Sequence, residues 1–275
     1  MKVFEALAWA QRQLEAANSS TARLDALVLL EDTTGTNRAK LLAEPNLKIA
    51  KKQLLNYKKY VLTRCIPVPL AYVRKKTEFY GRDFFIDERV LEPRPESETL
   101  IDETIQLVKK EADIDNIIDV GTGSGALIIT LKLELPHIKA LATDISKDCL
   151  EVTKLNLKKY SVNIKLYKAN LLTPINVEDF TNKTIVVANL PYVPDSWHIN
   201  LPAMSEPTLA IFGGHDGLEL YRQLFDQIAN LTIKPAYVVT ESMPPQHGQL
   251  KRIASNVHYC QLKSSDFIQV FSLSA

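Results

Sequence analysis

Ile117-Ile118-Asp119-Val120-Gly121-Thr122-Gly123-Ser124-Gly125 runs from a short apolar stretch into three glycines at alternate positions, and Ala126 to Leu133 follow with helical character. The apolar stretch reads as a strand and the glycines as its turn into a helix. Without a Cβ, such a turn can be tight and can pass close against a ligand. The same alternation continues outward. Ala140-Leu141-Ala142 is a strand, and Ser146 to Lys159 is a helix with Ser146 placed to cap it. Further strands are expected at Ile164 to Tyr167, Ile185 to Ala188 and Ala236 to Thr240, with a helix from Leu218 to Asn230 before the last of these. Two tail strands, around Tyr259 to Leu262 and Phe267 to Phe271, close the chain. Strands alternating with helices at this spacing give an α/β fold with a mostly parallel, doubly wound sheet and a C-terminal antiparallel hairpin.

In such a sheet, ligands bind beyond the carboxyl ends of the strands, so residues at strand tips carry the chemistry. Asp144 ends the second strand nineteen residues after Gly125, where a carboxylate can accept hydrogen bonds from two ribose hydroxyls. The loop is G-x-G-x-G, not G-x-G-x-x-G, and has no Lys-Ser/Thr phosphate cradle. That favours S-adenosylmethionine over a dinucleotide, because a sulfonium cofactor needs no phosphate site. The run Ile185-Val186-Val187-Ala188 reads as a strand buried on both faces, and Asn189-Leu190-Pro191-Tyr192 follows at its tip. Asn189 offers an amide acceptor, Leu190 a backbone carbonyl, Pro191 a stiff turn and Tyr192 a flat face. Together they can grip a planar NH2 group, as needed to methylate a glutamine amide or an adenine amine.

The 275 residues carry 33 basic and 32 acidic side chains, so no global field points to nucleic acid or an anionic membrane. Cys65, Cys149 and Cys260 are scattered, without metal spacing, and are expected to be reduced thiols in a cytoplasmic protein. No metal site is expected. Val3 to Arg64 reads as about four short helices, broken at Asn18-Ser19-Ser20, Gly35 and Pro45. Tyr72-Val73, Glu78-Phe79-Tyr80 and Phe84-Phe85-Ile86 suit strands, and Gly81-Arg82-Asp83 is expected to turn a hairpin. Pro93-Arg94-Pro95 then holds the chain extended into a helix starting near Glu96-Ser97-Glu98, with Arg94 and the acids exposed. His215-Asp216 reads as a turn, the lysine pairs as solvated faces, and Trp197-His198 as part of the long segment after the active-site strand, either a substrate-facing lid or a loop packed on the surface.

These stretches together resemble the release factor glutamine N5-methyltransferases (PrmC/HemK family) over essentially the whole chain. Pro67 to Tyr72, Glu78 to Gly81, Pro93 to Glu98, Asp119 to Gly125 and Asn189 to Tyr192 carry the resemblance. So does Glu206-Pro207, followed by Ala210, Phe212, Gly213-Gly214, Asp216-Gly217-Leu218 and Tyr221. Glu241 with Gln246 is similar to the family's later E-x-G-x-x-Q. The chain departs from the family at Leu190 in place of Pro, at Asn170 in place of an Asp, and at Met243 in place of a Gly. Gln269 lies near the position of a missing arginine.

The resemblance implies three segments: residues 1–70 as a helical substrate-docking domain, 71–92 as a β-hairpin linker, and 93–275 as a Rossmann-like methyltransferase domain. It implies a cytoplasmic, monomeric enzyme, without membrane or nucleic-acid partners, that methylates the Gly-Gly-Gln glutamine of class 1 release factors. It assigns catalysis to Asn189, Leu190, Pro191 and Tyr192, and places Glu206 near the entrance. S-adenosylmethionine falls to Asp119, Gly121, Thr122, Gly123, Ser124, Gly125, Asp144, Asn170, Leu171 and Asn189. The competing readings are a ribosomal-protein glutamine methyltransferase, an adenine N6-methyltransferase, and a docking module that binds the cofactor without turnover.

Overall fold

A computed structural model describes residues 1–111, 113–198 and 205–274. The chain forms two compact units, one built on Met1–Lys76 and the other on Thr77–His198 together with the chain from Glu206. No helix among the described residues is long and apolar enough to cross a membrane.

The first unit is helical: α1 (Val3–Ala16), α2 (Ala22–Thr34), α3 (Arg38–Ala43), α4 (Lys51–Arg64) and α5 (Leu70–Arg74). Val3, Ala6, Ala10 and Leu14 recur at three- and four-residue spacing, so α1 buries one stripe against Ala26, Leu29 and Leu30 of α2 and Tyr57 and Val61 of α4. Gly35 ends α2 in the left-handed conformation that relieves a helix C-terminus, and the Asn37 side chain caps α3 by accepting from Lys40 N. Tyr57 is fully buried, and its hydroxyl donates to the Ala26 carbonyl at 2.9 Å. Arg64 pairs with the almost fully buried Asp25 at 2.9 Å. Tyr72 and Val73 lie in α5 and not in a strand. Pro69 supplies the first fixed φ of that turn, and burial of Ala71, Tyr72 and Val73 overrides their β propensity.

The second unit opens with the hairpin β1 (Thr77–Phe79) and β2 (Arg82–Phe84), paired Thr77 to Phe84 and Phe79 to Arg82. Its turn is Tyr80-Gly81, one residue earlier than expected, with both residues at positive φ (52° and 66°) as a two-residue hairpin requires. Phe85 has left the strand, and its backbone is bonded instead through both N–H and C=O to the Asn156 side chain at 2.8 and 2.9 Å. Phe79 and Phe84 sit edge to face in the core of this unit with Leu100 and Ile101.

After a 3-10 turn at Pro95–Ser97 come α6 (Glu98–Lys110), β3 (Asn116–Val120), α7 (Ala126–Glu134), β4 (Lys139–Asp144), α8 (Lys147–Tyr160) and β5 (Lys165–Lys168). Then follow β6 (Thr184–Ala188), α9 (Glu219–Ala229), β7 (Tyr237–Glu241), α10 (His247–Ser255), β8 (Tyr259–Ser265) and β9 (Ile268–Leu273). The seven strands are ordered β5-β4-β3-β6-β7-β9-β8; the first five run parallel, and β9 is antiparallel to both its neighbours. Side chains alternate between two cores. Ile117, Ile185 and Val187 face the α6/α7 side, whereas Ile118, Val186 and Ala188 face the α9/α10 side. The chain leaves β3 toward β4 on one side and later returns to β6 on the other, so the switch in strand order lies at β3. There Val120 is in register with both Thr143 and Ala188, which brings the Gly121 loop, Asp144 and Asn189 to one edge.

Candidate active site

Asn189 begins where the buried strand β6 stops. Its Nδ2 donates to Ser97 Oγ at 2.8 Å and to Glu241 Oε2 at 3.0 Å. Both amide hydrogens are thereby committed, leaving Oδ1 as an acceptor with no partner among the described residues. Tyr192 Oη donates to the other Glu241 oxygen at 3.0 Å. Glu241 is 1% exposed at the tip of β7, and burial pushes its carboxyl above the usual range while the hydrogen bonds from Ser97, Tyr192 and Asn189 pull it back. Burial first, then the charge of Glu241, drives the Tyr192 phenol far above its ordinary value, so this hydroxyl stays a donor.

The backbone of the loop is held as closely. Leu190 N donates to the buried Tyr221 hydroxyl at 3.2 Å, and that hydroxyl faces the carbonyls of Ala188 and Glu241. Gln246 Nε2 donates to Tyr192 O at 2.8 Å and to Asp216 O at 2.9 Å. A Cβ on Gly217 would lie 2.0 Å from Tyr192 O, and one on Gly213 2.2 Å from Pro191 O. These two glycines therefore permit the segment after β6 to pack on the loop that carries Asn189. The Leu190 side chain is buried and would meet a Cβ on Gly121 at 3.1 Å, so the two strand-end loops touch each other.

In the glycine loop, Gly121 N and Thr122 N donate to Thr143 O at 3.0 and 2.9 Å. Asp144 accepts from Gly123 N at 2.9 Å and Ser146 N at 2.8 Å, one bond on each oxygen, so each oxygen keeps a lone pair. Burial raises the Asp144 carboxyl against these bonds. Asp119 is fully buried; Oδ2 accepts from Thr122 Oγ1 at 2.6 Å, and Oδ1 has no hydrogen-bond partner among the described residues. Desolvation lifts its carboxyl to about 7. Ser124 is buried, its carbonyl taken by Asn156 Nδ2 at 2.9 Å, and Gly125 sits where a Cβ would strike Thr153 at 2.7 Å. Gly123, by contrast, has φ +55° and nothing within 4 Å of an added Cβ.

Two cavities flank this loop. The larger, about 180 Å³, reaches Asp144, Ile145, Asn170 and Leu171; the smaller, about 70 Å³, reaches Thr122, Ser124 and Ser97. Both are lined by Gly121, Gly123 and Asn189. Linings that share Gly121, Gly123 and Asn189 leave space on both sides of the loop for a bipartite ligand, a nucleoside at one end and a small polar group at the other. The exposed Asn170 side chain lies at the rim of the larger cavity. Pro191 lines it as well, whereas Asp119, Gly125 and Tyr192 line neither cavity.

Ser97 and Glu241 had no role assigned from spacing, yet they hold Asn189. Glu241 could have been found by the argument that singled out Asp144, since it ends a buried strand; Ser97 carries no such signal. Ser97 is also buried, and Arg94, expected to be exposed, is only partly so because it pairs with Glu206. Glu206 is likewise not at an open entrance: its side chain is fully buried and accepts from Glu92 N at 3.1 Å as well as from Arg94. His215 is exposed, and Asp216 is committed to Arg222, which holds its carboxyl down at about 2. The segment expected as a lid or a surface loop continues past His198 into residues 199–204, which lie outside the described residues. Three or more His, Cys, Asp or Glu side chains do not converge as a metal site among the described residues.

The sequence model of the PrmC N-terminal domain matches residues 5–74, and that of the methyltransferase small domain matches residues 97–200. Among solved structures, the hMettl16 catalytic domain in complex with an RNA hairpin superposes with a TM-score of 0.54 at 16% identity, covering 83% of each chain. A methyltransferase from Pyrococcus furiosus gives 0.50 at 15% identity, covering 80% of this chain and 99% of that one. At such identities these establish the methyltransferase fold alone. The release factor glutamine methyltransferase of Bacillus anthracis is 34% identical over 246 residues, covering 88% of this chain and 86% of the relative. That of Bacillus subtilis is also 34% identical, over 87% and 84%. Similarity of this extent, carried by the helical unit and the methyltransferase unit alike, makes the chain a member of the release factor glutamine methyltransferase family.

Proposed function

We propose that this protein transfers one methyl group from S-adenosylmethionine to the side-chain amide nitrogen of a release factor glutamine, the Gln of a Gly-Gly-Gln motif. The observation that carries the reading is the fixed Asn189 amide, which lines both cavities and whose Oδ1 has no partner among the described residues. Family membership supports release factors over ribosomal proteins or adenine as substrate.

The two cavities and the open side of Gly123 suit the cofactor. Asp144 has a lone pair on each oxygen for ribose hydroxyls, and Asn170 and Leu171 bound the base end. When bound, the cofactor supplies an electrophilic methyl on a cationic sulfur. The residues of this chain do the rest by placement. An amide nitrogen is a weak nucleophile because its lone pair is delocalised into the carbonyl, so its orientation decides the rate. Asn189 Oδ1 and the Leu190 carbonyl accept its two N–H groups, the Tyr192 ring packs on the amide plane, and the nitrogen is aimed toward the cofactor cavity. Leu190 keeps the carbonyl that a proline would present there, and Tyr221 restores part of the lost stiffness by holding Leu190 N. No base is needed before attack, since the proton becomes acidic only as nitrogen gains its fourth bond.

On this reading the helical unit docks the protein substrate, and the enzyme works as a monomer in the cytoplasm. The test is to incubate the purified protein with methyl-labelled S-adenosylmethionine and either a recombinant release factor or its Gly-Gly-Gln variant with Gln replaced by Ala. Label on the parent alone is expected. Label on neither, with rRNA or a ribosomal protein labelled instead, would overturn the substrate.

A further inference from the structure

We infer that Glu241 and Ser97 are positioning residues for the transfer, fixing which end of the Asn189 amide meets the substrate; the inference rests on the function proposed above. An asparagine side chain has two nearly isosteric orientations, and only one presents an acceptor to an incoming NH2 group. The arrangement of hydrogens around Asn189 selects it. Glu241 Oε2 lies 3.0 Å from Nδ2 and, as a carboxylate, can only accept. Ser97 Oγ, 2.8 Å from the same nitrogen, accepts its second hydrogen. Rotating the amide would set Oδ1 against a carboxylate oxygen with no hydrogen between them, in a site where Glu241 and Ser97 are 1% and 2% exposed. The same carboxylate takes the Tyr192 hydroxyl on Oε1 at 3.0 Å. One buried side chain therefore sets both the acceptor that grips the substrate amide and the ring expected to lie on its plane.

The three anchors come from different parts of the fold: Ser97 ends the 3-10 turn before α6, Asn189 follows β6, and Glu241 ends β7. Ser97 also lines the smaller cavity beside Gly121 and Gly123. The serine thus ties the extended Pro-Arg-Pro segment to the orientation of the reactive amide, a task that needs only a hydroxyl. Threonine should serve equally, whereas alanine should not.

The test compares wild type with Glu241→Gln, Ser97→Ala and Ser97→Thr, each checked for a native melting transition. Two readouts are used. In the cofactor-free protein, solvent exchange of the Asn189 side-chain NH2 is followed by 15N NMR, the signal being assigned by its loss in Asn189→Ala. In turnover, kcat and KM for release factor are measured alongside cofactor Kd. Glu241→Gln can donate where Glu241 only accepts, so it should release the orientation, speed amide exchange, and lower kcat by roughly 10- to 100-fold, the loss of a charge-assisted hydrogen bond. KM and cofactor Kd should stay within about threefold. Ser97→Ala should lower kcat by roughly tenfold and Ser97→Thr should restore it. Unchanged amide exchange in Glu241→Gln and Ser97→Ala, or a fall in cofactor affinity matching the fall in kcat, would overturn the inference. If wild type fails to label release factor, the proposed function fails, and the exchange measurement still decides whether Glu241 and Ser97 lock the amide.

Discussion

Asp119→Asn should change how the stability of the cofactor-free protein depends on pH. Asp119 is fully buried beside the glycine loop, with one hydrogen bond from Thr122 and one bare oxygen, and desolvation raises its carboxyl from 3.8 to about 7. A carboxyl raised on folding favours the folded state while it is protonated. Its contribution is complete below 3.8 and is lost as pH rises through about 7. Three pH units at 1.36 kcal/mol each make that loss about 4 kcal/mol. Asparagine carries no charge and has no such slope, but its NH2 would replace the bare oxygen as an unpaired buried donor, at about 1–3 kcal/mol. The variant should therefore be less stable than wild type at pH 4 by about 1–3 kcal/mol and more stable at pH 8 by a similar amount. Denaturant unfolding of both proteins at pH 4, 6 and 8 measures this, since the titration of groups not coupled to Asp119 cancels in the difference, and the charge coupled to it is that of Asp144. A difference that stays constant across the range would refute the reasoning, because Asp119 would then titrate alike in the folded and unfolded chains.

Gly217→Ala should lower kcat at least tenfold and cost about 1–2 kcal/mol, since φ is +77° and the new Cβ would drive the Tyr192 carbonyl from its place. Gly248→Ala, inside α10 with open space around it, should instead stabilise by about 0.5–1 kcal/mol; melting and turnover of the pair check both. Tyr57→Phe removes a buried hydrogen bond to Ala26 and should cost about 1 kcal/mol in thermal unfolding with kcat unchanged. Arg94→Ala leaves the buried Glu206 carboxylate without its counter-charge. Its pKa, already raised by burial, should climb further, and the variant should lose about 1–3 kcal/mol, more at pH 8 than at pH 5 by denaturant titration, because the protonated form is the one that tolerates burial.

Much of this fold can be read from strand patterning. Ile117 to Val120 and Ile185 to Ala188 are apolar throughout because the central strands are covered on both faces, and the residues at their tips are the ones that converge. The hairpin turn was displaced because Tyr80 takes a positive φ that glycine or asparagine usually supplies, and Tyr80 N is then secured by Glu98 at 2.7 Å. Tyr72 and Val73 favour a strand locally, and that preference is weaker than the burial they gain in α5. Gly213 and Gly217 stand out in the sequence, but their reason is a contact with carbonyls of a distant loop. Ser97 was illegible for the same reason: a hydrogen bond between a 3-10 turn and the tip of β6 has no local signature.

The account turns on Asn189 Oδ1 as the acceptor that aims the substrate amide. The most direct measurement is peptide mass mapping of release factor after incubation with wild type or Asn189→Ala, paired with calorimetric cofactor affinity for both proteins. The account predicts one methyl on the Gly-Gly-Gln glutamine with wild type and none with the variant, while cofactor Kd stays within a few-fold. Retained methylation by the variant, or a loss of cofactor affinity as large as the loss of methylation, would contradict it.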